Sequence, residues 1–184
     1  GHRIVHGGTD FVAPLRVDAA LLDALAKLEP LAPLHQPHNL AGVRAAMAAF
    51  EGVPQVACFD TAFHAVQPEV NRRFALPREL HDAGVRRYGF HGLSYESIVA
   101  QFAGIAPELA QRRVIVAHLG NGASMCGMFN GRSVATTMTF SPLDGLTMGT
   151  RCGRIDAAVV PYLMRSRGMS ADAVEKLLFR ESGL

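Results

Sequence analysis

The sequence predicts an α/β fold built on a mixed sheet, and three observations carry that reading. Short β-branched runs alternate with stretches whose apolar residues recur every three or four positions. Those stretches open on residues that cap helices: Asp18, Asn39, Ser94 and Ser170. A three-stranded meander lies among them, with runs over 114–119, 123–129 and 133–137 separated by Asn121-Gly122 and Asn130-Gly131. Asn-Gly most readily supplies φ > 0 at two successive positions, which a two-residue hairpin needs. The glycines of Gly120-Asn121-Gly122 also let the backbone approach a ligand, where bare N–H groups can cradle an anion.

The elements follow in order. Residues 2–6 read as a strand ended by Gly7-Gly8, with Arg3 and Val5 on one face and His2, Ile4 and His6 on the other. Asp18 caps a helix over 19–28 that Pro30 stops. Residues 31–39 read as an ordered loop, after which Asn39 caps a helix bearing Leu40, Val43, Met47 and Phe50. Residues 54–60, PQVACFD, form a short buried strand ending on the carboxylate of Asp60. A domain boundary is expected near His64, followed by a polar, Arg-rich stretch broken by Pro68 and Pro77. Residues 88–92, YGFHG, make a glycine-flanked loop, and Ser94 caps a helix through Phe102. After the meander, 141–153 is a long loop too apolar for a linker, and such loops inside a compact domain are often functional. A helix over 155–165 contains Pro161, so a kink or late start is expected. Ser170 caps the last helix, with Val174, Leu177 and Leu178 inward.

Hydrophobic residues make up 49% of the 184 and charged ones 18%, enough for a packed core and too apolar for a disordered chain. A net charge of +2 argues against a nucleic-acid surface, and no apolar run reaches membrane-spanning length. Cys58, Cys126 and Cys152 are odd in number and form no CxxC pair, which fits a cytoplasmic, reducing setting. Arginine outnumbers lysine 16 to two; compositional bias accounts for most of that, and some arginines can serve as forks for carboxylate or phosphate. Both ends read as cut: residues 1–7 look like strand interior, and Gly183 would cap a helix that the chain leaves behind. A fragment of a larger protein is therefore expected.

The sequence has no GxxxxGK[ST], HExxH or GxSxG, and GNGASM puts Met125 where a dinucleotide loop needs its third glycine. The histidine pairs His2/His6 and His35/His38 lack a Cys or carboxylate at ligand spacing, so no metal site is expected within these residues. What remains is a set of separate loops carrying Arg3, Asp60, His91, the 120–122 turn and Arg151. Two arginines to clamp an oxyanion, a carboxylate to position a nucleophile and a histidine to donate to developing charge make the inventory of phosphoryl transfer. Each residue singly also has an ordinary structural use, Asp60 as a turn residue at a strand exit among them.

HRIVHGG at 2–8, APLH at 32–35, FDTAFH at 59–64, YGFHGLSY at 88–95, AHLGNGAS at 117–124 and SPLDGLTMGTRCG at 141–153 together closely resemble the acetokinase family of carboxylate kinases. The resemblance implies an actin-like, ribonuclease H-like duplicated fold of the acetate and sugar kinase, Hsp70 and actin type. Residues 1–64 would be part of the first domain and 65–184 the first part of a second, nucleotide-binding one. It implies reversible phosphoryl transfer from ATP to the carboxylate of acetate or propionate, giving acyl phosphate and ADP. Asp60, His91 and Arg151 then match catalytic residues, and Arg3 the one that binds the substrate carboxylate. Val5, Leu34, Phe90 and Pro142 match the pocket for the acetate methyl, with His35 an active-site histidine of lesser weight. His118, Leu119, Gly120, Asn121 and Gly122 match the stretch that binds ATP phosphates.

Arg154, Ala157, Ala135 and Thr139 depart from the family's usual residues, acidic, Pro, Asp and Gly respectively. By the resemblance, the Mg²⁺ ligands and the adenosine pocket lie outside the chain, which alone would be inactive, and the enzyme is a homodimer. Two other readings stand beside this one: a kinase of a longer acid such as butyrate, and a truncated, non-catalytic dimerisation module.

Overall fold

Two three-stranded sheets, one built before residue 60 and one after residue 112, organise the computed structural model, which describes residues 1–184. The first contains β1 (His2–Ile4), β2 (Leu15–Arg16) and β3 (Val56–Phe59) in the order β1-β3-β2. β1 runs parallel to β3, with Ile4 opposite Phe59, and β2 runs antiparallel, so the sheet is mixed. α1 (Ala19–Ala26) begins as expected at Asp18, whose carboxylate accepts the Leu21 N–H at 2.8 Å. With α2 (Gln36–Ala49) it buries Leu22, Leu25, Leu40 and Val43 against Ile4 and Phe59. Each such side chain contributes about 1.5–3 kcal/mol by leaving water.

Two expectations fail here for one reason. Asn39 does not cap α2; it lies in the first turn, and its Oδ1 accepts the Val5 N–H at 2.9 Å. That bond draws Val5 out of the ladder, so β1 ends at Ile4 rather than at residue 6. The helix starts early, with Pro37 in its first turn, where a missing N–H costs nothing.

The connection to the second sheet holds α3 (Glu69–Arg72), α4 (Arg78–Asp82), α5 (Gly92–Ile105) and α6 (Pro107–Ala110). Pro68 and Pro77, read as breaks, are the residues from which α3 and α4 start. α5 begins at Gly92 after a left-handed His91 (φ 59°), so Ser94 is a first-turn residue and not its cap.

The second sheet is the expected antiparallel meander of β4 (Arg113–Leu119), β5 (Ala123–Phe129) and β6 (Arg132–Thr136). Asn130 and Gly131 are both left-handed (φ 52° and 68°), as a two-residue hairpin demands. The first turn differs. Leu119 pairs with Ala123, so the loop has three residues, none at positive φ, and the Gly120 N–H donates to the Gly122 carbonyl at 3.1 Å. α5 covers one face of the meander, packing the fully buried Tyr95 on Cys126 and Met128. On the strands, Ile115, Leu119 and Phe129 remain exposed.

His64 fastens the two parts. Its Nδ1 lies 2.8 Å from Ser133 Oγ and its Nε2 lies 2.9 Å from the Phe90 carbonyl oxygen. Thr139, where the resembled family has Gly, donates its hydroxyl to the Asp144 carboxylate, and its carbonyl takes the N–H groups of Tyr88 and Gly89.

α7 (Val159–Ser166) starts late, as Pro161 in its first turn requires. α8 (Ala171–Arg180) is capped by Ser170; Val174 and Leu178 are buried, and Leu177 is half-buried. The helix ends at Arg180, and Gly183 lies instead in a tail whose Ser182 and Leu184 N–H groups donate to the Thr150 and Met148 carbonyls. That tail ties α8 to the 141–153 loop.

Candidate active site

A cleft of about 390 Å³ opens between the two sheets, and every predicted site residue lines it except Leu34 and Leu119. Arg3 and Arg151, 148 positions apart by subtraction, face the same space.

One wall comes from the first sheet. Asp60 follows β3 at its carboxyl end, where ligands collect in open α/β sheets. Its side chain is 1% exposed, and its Oδ2 accepts from Arg3 Nε at 2.9 Å and Nη2 at 2.6 Å. Arg3 itself is 60% exposed and keeps donor hydrogens for a ligand. The N-terminus of α5 closes on this wall: the Gly92 N–H donates to the Asp60 carbonyl at 2.9 Å. A Cβ on Gly92 would stand 2.1 Å from that oxygen, so no other residue fits. The N-terminal end of α5 adds partial positive charge to the cleft.

The other wall joins His91, the 120–122 turn and Arg151. Arg151 donates from Nη1 to the Pro142 carbonyl at 2.9 Å and pairs with no carboxylate. A Cβ on Gly122 would lie 3.3 Å from Arg151 Nη1 and 3.4 Å from His91 Nε2, so glycine lets the three converge. The His91 ring stacks on His118 at 4.0 Å, and His118 Nδ1 lies 3.0 Å from Ser94 Oγ. Burial, then the fields of His118, Arg3 and Arg151, push the His91 pKa down to about 3, so the imidazole is neutral at pH 7. Burial, with the fields of Arg151 and Arg3, also lowers the pKa of His35.

Val5, Phe90 and Pro142 give the cleft an apolar floor. Leu34 does not join it; it borders a separate hollow with Glu175, Lys176 and Phe179 of α8. The 32–35 turn instead buries Ala32 against the cluster of Val5, Phe90, Met138 and Met148. Leu119 is 73% exposed, because alternation along β4 turns it away from the face that carries His118.

The sequence reading missed Leu93 and Ser94, which line the cleft. It also missed Ser124 and Tyr95, buried behind His91. The early start of α5 brings Ser94 to the cleft, and only strand register reveals Ser124.

The cleft thus offers two guanidinium groups, the neutral His91 imidazole with His35 and His118 beside it, a glycine turn and a single carboxylate already held by Arg3. Such a set holds an anion. It does not fit Mg²⁺, which takes near-octahedral oxygen ligands, and no group of three His, Cys, Asp or Glu side chains comes together.

Comparison with known proteins agrees over the whole chain. The model of the "Acetokinase family" matches residues 1–184. The acetate kinase of Methylocella silvestris is 59% identical over 184 residues, which is 100% of this chain and 46% of that protein. The acetate kinase of Deinococcus radiodurans is 49% identical, again over 100% of this chain and 47% of its own length. Among solved structures, a propionate kinase from Francisella tularensis superposes with a TM-score of 0.94 at 41% identity, covering 100% of this chain and 48% of that one. The acetate kinase of Porphyromonas gingivalis gives 0.89 at 40% identity, covering 100% and 46%. The chain therefore spans about half the length of the relatives it matches.

Proposed function

The chain belongs to the acetokinase family, with the actin-like α/β fold of its structural neighbours, and on that premise we propose that its cleft is the acceptor side of a carboxylate kinase. The reaction moves the γ-phosphoryl of ATP to the carboxylate of acetate or propionate, giving acyl phosphate and ADP, and runs in both directions. One observation carries the reading: Arg3 and Arg151 line a single small cleft together with Asp60 and His91.

The acid's carboxylate lies on the free hydrogens of Arg3, and its alkyl group rests on Val5, Phe90 and Pro142. An acid oxygen forms a P–O bond as the bond from the γ-phosphorus to the β–γ bridging oxygen breaks, and that electron pair leaves with ADP. Charge spreads over the three equatorial oxygens of the transferring group, where Arg151 and the His91 imidazole meet it. The acid is already ionised at pH 7, so Asp60 has no proton to accept; it orients Arg3. His118, Gly120, Asn121 and Gly122 hold the nucleotide's phosphates. Mg²⁺ would neutralise phosphate charge, with its ligands supplied outside residues 1–184.

The same reading assigns residues 1–64 and 65–184 to two different domains, which the two separate sheets support. It makes the enzyme a cytoplasmic homodimer. Three free cysteines fit a reducing compartment, and no helix is long and apolar enough to cross a membrane. Hydroxamate trapping of acyl phosphate, with ATP, Mg²⁺ and acetate or propionate, tests the activity. Turnover is expected from a full-length protein containing these residues and not from residues 1–184 alone. An inactive full-length protein refutes the reading, and robust turnover by the 184 residues refutes the need for the rest.

A further inference from the structure

His91 Nδ1 faces away from the cleft and lies 2.8 Å from Ser124 Oγ. The Ser124 hydroxyl in turn is in short contact with the Tyr95 hydroxyl. Ser124 and Tyr95 are both fully buried, and neither hydroxyl has another partner. These three groups must share two hydroxyl hydrogens and whatever hydrogen Nδ1 carries.

The count has one complete solution. With Nδ1 bare, Tyr95 donates to Ser124, Ser124 donates to Nδ1, and every hydrogen is used. With a hydrogen on Nδ1, Ser124 must accept it. The Ser124 and Tyr95 hydrogens then have one acceptor between them, and one buried O–H is orphaned. A buried O–H left without an acceptor keeps the full cost of having left water. The tyrosine is a reliable donor, since burial pushes its pKa up to about 12.

We propose that Tyr95 and Ser124 are positioning residues that act through His91: their one-way chain of hydroxyls keeps Nδ1 unprotonated and so places the imidazole hydrogen on Nε2, aimed into the cleft beside Gly122 and Arg151. The catalytic part of this inference rests on the kinase reading, because only there does the Nε2 hydrogen meet a transferring phosphoryl group. The tautomer itself does not depend on that reading. The left-handed start of α5 at His91 and the register of β5 bring the chain together. Tyr95 comes from α5 and Ser124 from β5, each 0% exposed.

Nitrogen-15 NMR of histidine-labelled intact protein at pH 7, without substrates, reads the tautomer directly; the His91→Gln variant assigns the signals. A bare Nδ1 and a protonated Nε2 are expected. In Ser124→Ala the ring is expected to populate both tautomers, while Ser124→Thr, which restores the hydroxyl, returns it to one. In the acyl phosphate assay Ser124→Ala should lower kcat by about ten-fold or more with KM for the acid unchanged, Thr should recover most of it, and Tyr95→Phe should cost about three-fold. A protonated Nδ1 in the unsubstituted protein overturns the proposal, as does an unaltered tautomer in Ser124→Ala. If Ser124→Ala fails to fold, Ser124→Cys decides, since its weak S–H donor should still blur the preference, whereas Tyr95→Phe leaves Ser124 donating to Nδ1 and should keep it. A normal tautomer response in a protein with no kinase activity would sink the functional reading and leave the relay standing.

Discussion

The two walls of the cleft each present an arginine, and they treat it differently. Arg3 is locked to a buried carboxylate by two hydrogen bonds to Asp60 Oδ2. Arg151 donates to the Pro142 carbonyl and to Met148 Sδ, with no acid to neutralise it. A paired guanidinium is aimed but largely balanced, whereas an unpaired one leaves a standing positive field. The first suits a residue that orients a bound acid. The second suits one that waits for a charge that appears only as a phosphoryl group moves. Burial, then the fields of His118, Arg3 and Arg151, keep His91 neutral, so both walls act on the one imidazole.

The sharpest test of that contrast is Arg151→Ala in a full-length protein. Expected is a loss of kcat of about 10²–10³ or more, with Tm little changed, because no ion pair is broken. Near-normal turnover would mean that the unpaired wall is not where charge develops. Asp60→Asn should come next, at about a hundred-fold in kcat/KM, weighted toward KM for the acid because Arg3 loses its anchor. An effect confined to kcat would show instead that Asp60 acts on the reacting atoms.

Acid should loosen the fold through its buried histidines. Burial holds His6 and His64 at pKa values of about 4, and His91 sits at about 3. Their folded pKa values lie below the unfolded value near 6.5, so the unfolded chain binds more protons between those limits. Stability is therefore full above pH 6.5 and falls as pH drops toward 4, by up to about 1.4 kcal/mol per pH unit for each ring. Urea unfolding at pH 7 and pH 5 measures this, and His64→Gln should flatten the dependence. Equal midpoints at both pH values would show that these rings take up protons alike in the folded and unfolded chain.

What could be read from the sequence was what local chemistry decides. Asn130-Gly131 needs no neighbour to turn left-handed, and Asp18 and Ser170 cap helices with their own side chains. Asn39 and Ser94 look equally good as caps, yet tertiary bonds claim them: Asn39 serves the Val5 N–H, and Ser94 pairs with His118. The 120–122 turn was located correctly but given the wrong geometry, because one extra loop residue removes the need for positive φ. Cleft residues were legible in contiguous blocks, while Ser124 and Tyr95, 29 positions apart, meet only through β5 register and helix packing.

Gly122→Ala probes how tightly the second wall converges. Since Gly122 is not left-handed, an added methyl strains no backbone; it only crowds Arg151 and His91 at 3.3 and 3.4 Å. A loss of about ten-fold in kcat with unchanged Tm is expected, and an equal loss in stability would show that the turn itself had shifted.

The smallest effect should come from Leu34, and its smallness is informative. Family resemblance places Leu34 beside the acid's alkyl group, whereas the structure turns it toward α8 and buries Ala32 near Val5 instead. Leu34→Ala should therefore leave the acetate-to-propionate ratio of kcat/KM within about two-fold, while Val5→Ala, on the floor beside Arg3, should move it toward propionate by about ten-fold, the worth of one methylene. Measured side by side, the pair separates two arrangements of the same cleft. A large shift from Leu34→Ala would mean that α8 moves aside when an acid binds, bringing Leu34 onto the floor.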